Sequence, residues 1–475
     1  MGKYTRLGKN TVLVFLGNAG SKLIGLLMLP LYTSWLSVSD YGVTDIINVY
    51  VTFLLGIVSC SISEALFIFP KGQTKKIQKI YFTTAIVFAS LAYILYALFS
   101  LAASSFSCFF DNTNSFMNNI WLIWGLLGAT MFQQIIQQFV RSIDRMTIYS
   151  ITGIVLTVTT AVFSFFLIPN FGVTGFVLAM ICANICAAIF SLASSKAYSF
   201  FSIKFFSILR LKEMLAYSLP LIPNGIMWWL VGALNRPIME NSLGLHAIGI
   251  FAVANKFPGV VVMVFNIFVT SWQISVLEEF KKKGFEKFYN SVLEIVLLLL
   301  FVVFLVVSAF SKYLVQLFAT DDYIEAWRYI SVLSLGSVMQ CLSGFWGTLF
   351  SAAKKSKYFF YSSIWAAIAA ISFNILLIPK LGIMGAAIAT FLSFTTMAVS
   401  RLLYSWQFAK VIEKRRIIIS IVLFLLIPTI SLSVDSELIK DMLLLLTFIV
   451  YIFVFKDVFM SFIIKIKAIY DKKYN

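Results

Sequence analysis

The sequence predicts an all-α, polytopic membrane protein with about fourteen transmembrane helices, arranged as two pseudo-symmetric six-helix lobes followed by two further helices. Composition, the succession of apolar segments and an internal repeat lead to this prediction. Of the 475 residues, 60% are hydrophobic and only 12% are charged, which is far more apolar than a soluble domain of this length. Apolar segments of about 20 residues recur along the chain, and an α-helix needs that length to cross the hydrocarbon core.

Fourteen predicted spans account for most of the chain, and the segments between them are short. We place the spans at residues 11–34, 41–69, 80–103, 119–140, 148–168, 174–195, 213–240, 247–276, 289–310, 327–351, 359–378, 383–406, 417–433 and 442–460. The longest segments outside them, near 104–118 and 196–212, are too short to fold independently. This argues against an enzyme with an external catalytic domain.

The net charge is +17, and the positions of the lysine and arginine residues follow the predicted topology. Lysine and arginine occur in short clusters between spans, such as Lys75-Lys76, Lys281-Lys282-Lys283, Lys354-Lys355 and Arg415-Arg416. Such clusters mark the cytoplasmic side of a membrane protein. We therefore expect a multi-pass protein of the bacterial cytoplasmic (inner) membrane, with both termini in the cytoplasm, and no nucleic-acid partner.

An internal repeat divides the predicted spans into two groups of six. Leu167-Ile-Pro-Asn-Phe-Gly-Val-Thr-Gly175 recurs as Leu377-Ile-Pro-Lys-Leu-Gly-Ile-Met-Gly385, an offset of 210 residues. In both copies the Pro and Gly residues predict a tight turn that joins the fifth helix of a six-helix group to the sixth. A second match sets Leu36 to Asp45 beside Leu243 to Ala252. Because six crossings return a chain to its starting side, the two copies have the same orientation, as in transporters built from parallel repeats. We predict an N-terminal lobe at 1–200, a C-terminal lobe at 201–410, and helices 13 and 14 with a cytoplasmic tail at 411–475.

Several short motifs resemble those of a known family. They are Leu7-Gly-Lys-Asn-Thr11, Gly17-Asn-Ala-Gly-Ser-Lys22, Leu29-Pro-Leu-Tyr32, Ser39-Asp-Tyr-Gly42 and Gly249-Ile-Phe-Ala-Val-Ala-Asn-Lys256. Together with the repeat, their order resembles polysaccharide repeat-unit flippases of the Wzx type, in the multidrug, oligosaccharidyl-lipid and polysaccharide exporter superfamily. The resemblance implies an undecaprenyl-pyrophosphate-linked oligosaccharide as cargo, flipped to the outer leaflet for O-antigen (lipopolysaccharide), capsule or exopolysaccharide assembly. A polysaccharide polymerase and a chain-length regulator are then candidate partners, besides the membrane lipids.

Three basic residues fall at membrane depth, and the resemblance implies that they could converge on the pyrophosphate of the head group, because the helices that carry them would border one central cavity in the family's fold. Lys22 lies about 12 residues into the first span, Lys256 about ten residues into the eighth, and Arg236 near the end of the seventh. Ionisable groups are costly inside a membrane and mark substrate pathways by default. The alternative for Arg236 is a structural ion pair with Glu240, four residues further along the same helical face.

Two polar stripes could line a cavity between the lobes. Asp45, Asn48 and Thr52 follow one face of the second span, and Asn255 and Asn266 follow one face of the eighth. Small and polar residues also let membrane helices pack closely, so a packing seam is the alternative. Asp45 and Glu64 could bind a coupling proton or cation if they are buried, the alternatives being an ion pair with Lys22 or a neighbouring polar contact.

Other classes of protein remain as alternatives. No Gly-x-x-x-x-Gly-Lys-Ser/Thr loop is present, so we expect no direct use of ATP, and the cysteine spacing predicts no metal site or cofactor. A drug or cation antiporter and a peptidoglycan-precursor flippase of the same superfamily remain alternatives to the repeat-unit flippase. A membrane polysaccharide polymerase or glycosyltransferase would show a long outer loop with paired acids, which this chain lacks, so we expect a transporter that works by alternating access rather than an enzyme.

Overall fold

The computed structural model describes residues 25–105, 115–280, 282–410, 414–434 and 436–457, and the regular structure in these ranges is entirely helical. The α-helices are α1 Leu29–Trp35, α2 Val38–Val58, α3 Ile62–Ile68, α4 Lys75–Ser105, α5 Ser115–Asn118, α6 Ile120–Ser142, α7 Met146–Ser195, α8 Ile208–Ser218, α9 Ile222–Ala233, α10 Asn235–Leu243, α11 Leu245–Ala254, α12 Pro258–Glu279, α13 Phe285–Ala309, α14 Ser311–Phe318, α15 Trp327–Ala352, α16 Lys357–Ser405, α17 Lys414–Ser433 and α18 Glu437–Val454. Short 3₁₀ turns occupy Ala197–Phe200, Ile203–Phe205, Leu219–Leu221 and Asp321–Ala326.

The helix α7 is a hairpin of two spans. A straight helix of 50 residues would be about 75 Å long, more than twice the hydrocarbon thickness. Instead, Gly172 has φ +53° and ψ −127°, and a Cβ atom on Gly175 would overlap the carbonyl oxygen of Leu167. The guanidinium of Arg145 donates to the carbonyl oxygen of Ser195 at 2.7 Å, so the two ends of α7 lie side by side.

The helix α16 repeats this arrangement in the second copy of the repeat. Gly382 has φ +60°, and a Cβ atom on Gly385 would overlap the carbonyl oxygen of Leu377. At the open end, the rings of Tyr358 and Tyr404 stack with centroids 5.2 Å apart. In both copies a glycine adopts a left-handed φ that L-residues rarely take, which confirms the turn predicted from the repeated sequence.

The predicted number of spans agrees with these helices. Among the described residues, ten helices are long and apolar enough to cross a membrane. Counting α7 and α16 as two crossings each, they correspond to predicted spans 2 to 13, and α18 corresponds to the last. The first predicted span falls mostly before residue 25, outside the described residues. The protein is therefore a polytopic α-helical membrane protein, as its composition predicts.

Three predicted spans are interrupted. The second span breaks between α2 and α3, where Cys60 and Ser61 have φ near +50°. The eighth span breaks between α11 and α12, and Pro258 at the start of α12 lacks the N–H that a continuous helix would need. The predictions of unbroken helices at 41–69 and 247–276 are thus wrong in detail. In the seventh span Pro220 lies in the 3₁₀ turn between α8 and α9.

Packing divides the chain into two compact units. Among the described residues, the first comprises those up to Ala252 together with Phe318–Tyr323, and the second comprises Val253–Leu317 and those from Ile324 onward. In the second unit, α17 and α18 pack on α13, where the rings of Phe301 and Tyr451 stack with centroids 3.7 Å apart. The lobe boundaries at 200 and 410 concern repeated sequence rather than packing, and they stay a prediction.

Candidate functional site

The candidate site lies in the first unit, where α9 and α10 run beside α2. The indole N–H of Trp229 on α9 donates to the carbonyl oxygen of Val49 on α2 at 3.0 Å. The Trp229 ring also packs against Phe53, with ring centroids 4.6 Å apart. Because membrane helices have no hydrophobic force between them, such hydrogen bonds and ring contacts fix their positions.

Arg236 on α10 forms an ion pair with Asp45 on α2. Its Nε lies 3.1 Å from the Asp45 carboxylate, and its Nη1 donates to the carbonyl oxygen of Gly232 and to the side chain of Asn235, both at 2.9 Å. The guanidinium carbon lies 4.7 Å from the centroid of the Phe251 ring. Arg236 is only 5% exposed, so these contacts replace the water that its charge would otherwise require.

Glu240 takes partners other than the predicted one. Its carboxylate accepts a hydrogen bond from the Tyr50 hydroxyl at 3.0 Å and one from the backbone N–H of Ser115 at 2.6 Å. The ion pair of Arg236 with Glu240, the alternative that their spacing suggested, is absent from the ion pairs of the described residues, because each of the two side chains reaches a different partner on α2. Both residues therefore tie α10 to α2, Arg236 through Asp45 and Glu240 through Tyr50.

The other polar residues predicted on the second span behave differently from Asp45. The Asn48 amide donates to the carbonyl oxygen of Thr44 at 2.8 Å, and the Thr52 hydroxyl donates to the carbonyl oxygen of Asn48 at 2.7 Å. Both bonds stay within α2. Glu64 is exposed and lies on α3, beyond the helix break. Of this group, Asp45 is the residue whose hydrogen bond crosses to α10.

The remaining predicted residues lie elsewhere. Lys22 is outside the described residues. Asn255 and Lys256 are exposed and lie in the turn between α11 and α12, and Asn266 is exposed on α12. All three belong to the second unit. The structure therefore brings Arg236 and Asp45 together, and the convergence of Arg236 with Lys22 and Lys256 stays a prediction.

Close contact between two glycines positions the ion pair, and the sequence did not predict it. A Cβ atom on Gly42 would overlap the carbonyl oxygen of Leu245, and one on Gly249 would overlap the carbonyl oxygen of Val38. Val38 and Gly42 precede Leu245 and Gly249 by 207 residues, so the contact is reciprocal between repeat copies. Asp45 follows Gly42 by one helical turn, so this crossing holds its carboxylate near Arg236.

A cavity of about 440 Å³ lies between α2 and α9. Phe53, Trp228 and Trp229 contribute aromatic surface to its lining, and Thr52 and Ser61 contribute hydroxyl groups. The polar pattern of the second span predicts the face of α2 that carries Thr52, but it does not predict α9 as the facing helix. The signal available was the glycine spacing on the seventh span, where Gly225 and Gly232 share a face two turns apart.

No group of three or more histidine, cysteine, aspartate or glutamate residues suited to a metal ion occurs within the described ranges. The chemical character of the site is thus a buried cation–carboxylate pair beside an apolar cavity.

Two family models match the sequence. One, described as "Polysaccharide biosynthesis protein", matches residues 7–273, and the other, MatE, matches residues 224–376. Among curated proteins, none matches this sequence.

Solved structures of transporters share the fold. A lipid II flippase, MurJ, in an inward-closed conformation matches with a TM-score of 0.71 and 15% identity, covering 94% of this chain and 100% of that one. An inward-facing multidrug resistance MATE family transporter of the MOP superfamily gives 0.66 and 13%, covering 82% and 94%. A MATE transporter from Vibrio cholerae gives 0.58 and 12%, covering 85% and 96%. At these identities the likeness concerns the fold alone.

Proposed function

Because this chain belongs to the polysaccharide biosynthesis protein family, we propose that it is a flippase for undecaprenyl-pyrophosphate-linked oligosaccharide repeat units. It would move them across the cytoplasmic membrane by alternating access, for O-antigen, capsule or exopolysaccharide assembly. The observation that carries this proposal is the family match, which extends over more than half of the chain, from residue 7 to residue 273. The family and the structural neighbours are transporters and flippases rather than enzymes, which favours translocation over synthesis.

The Asp45–Arg236 pair supplies a chemical route for an anionic head group. Arginine presents a planar fork of donors that suits phosphate, and it keeps its charge under all physiological conditions. In the structure Asp45 occupies one edge of that fork, through Nε. We infer that pyrophosphate and the Asp45 carboxylate alternate as partners of Arg236, so that Asp45 displaces the head group when it must leave.

The other predicted residues complete this proposal. Lys22 and Lys256 would add positive charge along the path of the head group, and Asn48, Thr52, Asn255 and Asn266 would offer hydrogen bonds to the cargo. Asp45 or Glu64 would bind the proton or cation that couples transport. Both termini would lie in the cytoplasm, because that orientation assigns most lysine and arginine clusters to the inner side. A polymerase and a chain-length regulator would receive the flipped units.

Deleting the gene tests this function directly. We expect lipid-linked repeat units to accumulate in the cytoplasmic leaflet while surface polysaccharide is lost, and a plasmid copy of the gene to reverse both changes. Surface polysaccharide that stays at the wild-type level in the deletion strain would contradict the proposal.

A drug or cation antiporter is the second candidate, since the MatE family model matches residues 224–376. The same deletion strain distinguishes the two functions. Antiport predicts normal surface polysaccharide together with higher sensitivity to cationic drugs. A peptidoglycan-precursor flippase, suggested by the fold shared with a lipid II flippase, predicts accumulation of peptidoglycan precursors instead.

A further inference from the structure

The cavity between α2 and α9 is apolar over most of its lining. Besides its aromatic side chains it is bounded by Ile57, Ile222 and Ile226, with Thr52 and Ser61 as its hydroxyl-bearing residues. Its volume of about 440 Å³ falls in the range typical of ligand pockets, about 300–1,000 Å³. Because few polar groups line it, a cavity of this kind is suited to a hydrocarbon chain.

Three glycines keep this cavity open. Gly56 on α2 and Gly225 and Gly232 on α9 all contribute to its lining, and a Cβ atom on any of them would meet nothing within 4 Å. Glycines in membrane helices commonly allow two backbones to approach closely, as Gly42 and Gly249 do here. The cavity glycines have no such neighbour, so their effect is to leave space beside the helix backbone.

The aromatic wall of the cavity is held in place. Trp229 is fixed by its hydrogen bond to the backbone of α2 and by its contact with Phe53. A wall held by these contacts can keep its shape when a ligand enters or leaves, which lowers the ordering cost of binding.

A buried cation lies next to one end of the cavity. The carbonyl oxygen of Gly232, which is a lining residue, accepts the hydrogen bond from the Arg236 guanidinium. An apolar groove that ends beside an arginine is complementary to a hydrocarbon chain with an anionic phosphate at its end. Glycine surfaces along such a groove leave room for methyl branches, which a polyprenyl chain carries and a linear acyl chain does not.

We propose that the α2–α9 cavity binds the part of the isoprenoid chain of the lipid-linked substrate that lies next to its phosphate, with the phosphate end toward Arg236. This inference rests on the proposed function, because it takes the cargo to be carried on a polyprenyl lipid. It adds that the lipid tail has its own site in the first unit, so that the protein recognises the carrier as well as the sugar.

The test measures binding of the carrier without sugar. Full-length protein purified in detergent is titrated with undecaprenyl phosphate and, separately, with phosphatidylglycerol, which has one phosphate and two linear chains, and bound lipid is counted by native mass spectrometry. Gly56→Leu and Gly225→Leu fill the cavity, and the corresponding alanine variants fill it partly. Gly153→Leu is the matched control, since a Cβ atom there also meets nothing within 4 Å but the residue is not part of the lining.

We expect the wild type and the Gly153 variant to prefer undecaprenyl phosphate, and the leucine variants to bind it about tenfold less tightly or worse, with alanine intermediate. Equal binding of the two lipids by the wild type, or unchanged binding in both leucine variants, would overturn the proposal. If both leucine variants bind normally and restore surface polysaccharide in the deletion strain, the tail site is ruled out and the flippase function stays intact. Unchanged polysaccharide in the deletion strain itself removes the function, whatever the lipid binding shows.

Discussion

Breaking the Asp45–Arg236 ion pair separates its structural role from its role in transport. Three variants form a double-mutant cycle: Asp45→Ala, Arg236→Ala and the combination of both. Each single substitution leaves one charge in the site without its main partner, whereas the double substitution removes both charges. We expect each single variant to be less stable than the double variant.

The magnitude follows from the geometry of the pair. At 3.1 Å, the Coulomb attraction is about 5 kcal/mol for an effective dielectric constant of about 20. Desolvation of both groups offsets most of this gain, so removing the whole pair costs little. Removing one partner of a buried pair costs about 3–5 kcal/mol. Because the Asp45 side chain is 21% exposed, we expect the lower end of that range for Arg236→Ala.

The assay combines apparent melting temperature in detergent with surface polysaccharide restored per unit of folded protein in the deletion strain. The control pair is Arg416–Glu294 in the second unit, with an N–O distance of 2.9 Å and side chains 23% and 15% exposed. Glu294→Ala should lower the melting temperature without lowering transport per folded molecule. The Asp45/Arg236 double variant should regain much of the melting temperature and remain defective in transport.

Full transport by the Asp45/Arg236 double variant would refute a role for the ion pair in transport. It would show that the pair only holds α10 against α2, and Arg236 would no longer be a candidate for binding the head group. Equal stability of the single and double variants would refute the energetic part, since it would mean that the isolated charge reaches water.

Three further predictions concern the packing that positions the site. Gly175→Leu should abolish accumulation of folded protein, because the side chain would overlap the backbone of the same hairpin. Gly153→Leu, with open space at its Cβ, should accumulate normally. Membrane immunoblots measure the accumulation of both variants. Gly249→Ala should lower the melting temperature and transport together, since a Cβ atom overlaps the carbonyl oxygen of Val38. Tyr50→Phe should lower the free energy of unfolding by about 1.5 kcal/mol, the lower end for a hydrogen bond to a charged group. The loss is at the lower end because the Glu240 carboxylate keeps its hydrogen bond from the backbone N–H of Ser115. Chemical denaturation in detergent measures the loss.

Each of these has a contrary result. Normal accumulation of the Gly175 variant would show that the α7 turn can open to admit a side chain, although the same close contact occurs at Gly385 in α16. A Gly249 variant with wild-type melting and transport would mean that the crossing of α2 and α11 separates without cost. A Tyr50 variant as stable as the wild type would show that the hydrogen bond to Glu240 contributes nothing to stability.

The helical fold could be predicted because its signals are local. Apolar length marks each span, and the Pro and Gly positions in Leu167–Gly175 and Leu377–Gly385 mark two turns that the structure contains. The helix breaks were harder to predict. Ser59, Cys60, Ser61 and Ser63 cluster at the break between α2 and α3, but small and polar residues also occur in closely packed membrane helices, so this cluster alone does not predict the left-handed φ values.

The candidate site was predicted only in part, because partners across helices depend on helix rotation. Arg236 and Asp45 were both singled out by their cost in a membrane, yet helical spacing suggested Glu240 as the partner of Arg236. Residues four apart on one helix can pair, but a carboxylate on a facing helix can compete for the same arginine. The reciprocal contact of Gly42 and Gly249 was also missed, since a sequence repeat indicates similar structure in two segments and not contact between them.

Flippase activity can be measured with the purified protein in vesicles. Proteoliposomes containing a fluorescent undecaprenyl-pyrophosphate-linked oligosaccharide are treated with a membrane-impermeant quencher, and the fraction of protected label is followed over time. We predict that wild-type protein exposes the inner-leaflet label faster than protein-free vesicles do, and that the Asp45→Ala/Arg236→Ala double variant does not. If folded wild-type protein leaves the protected fraction at the level of protein-free vesicles, the protein does not flip this lipid-linked oligosaccharide and the proposed function is wrong.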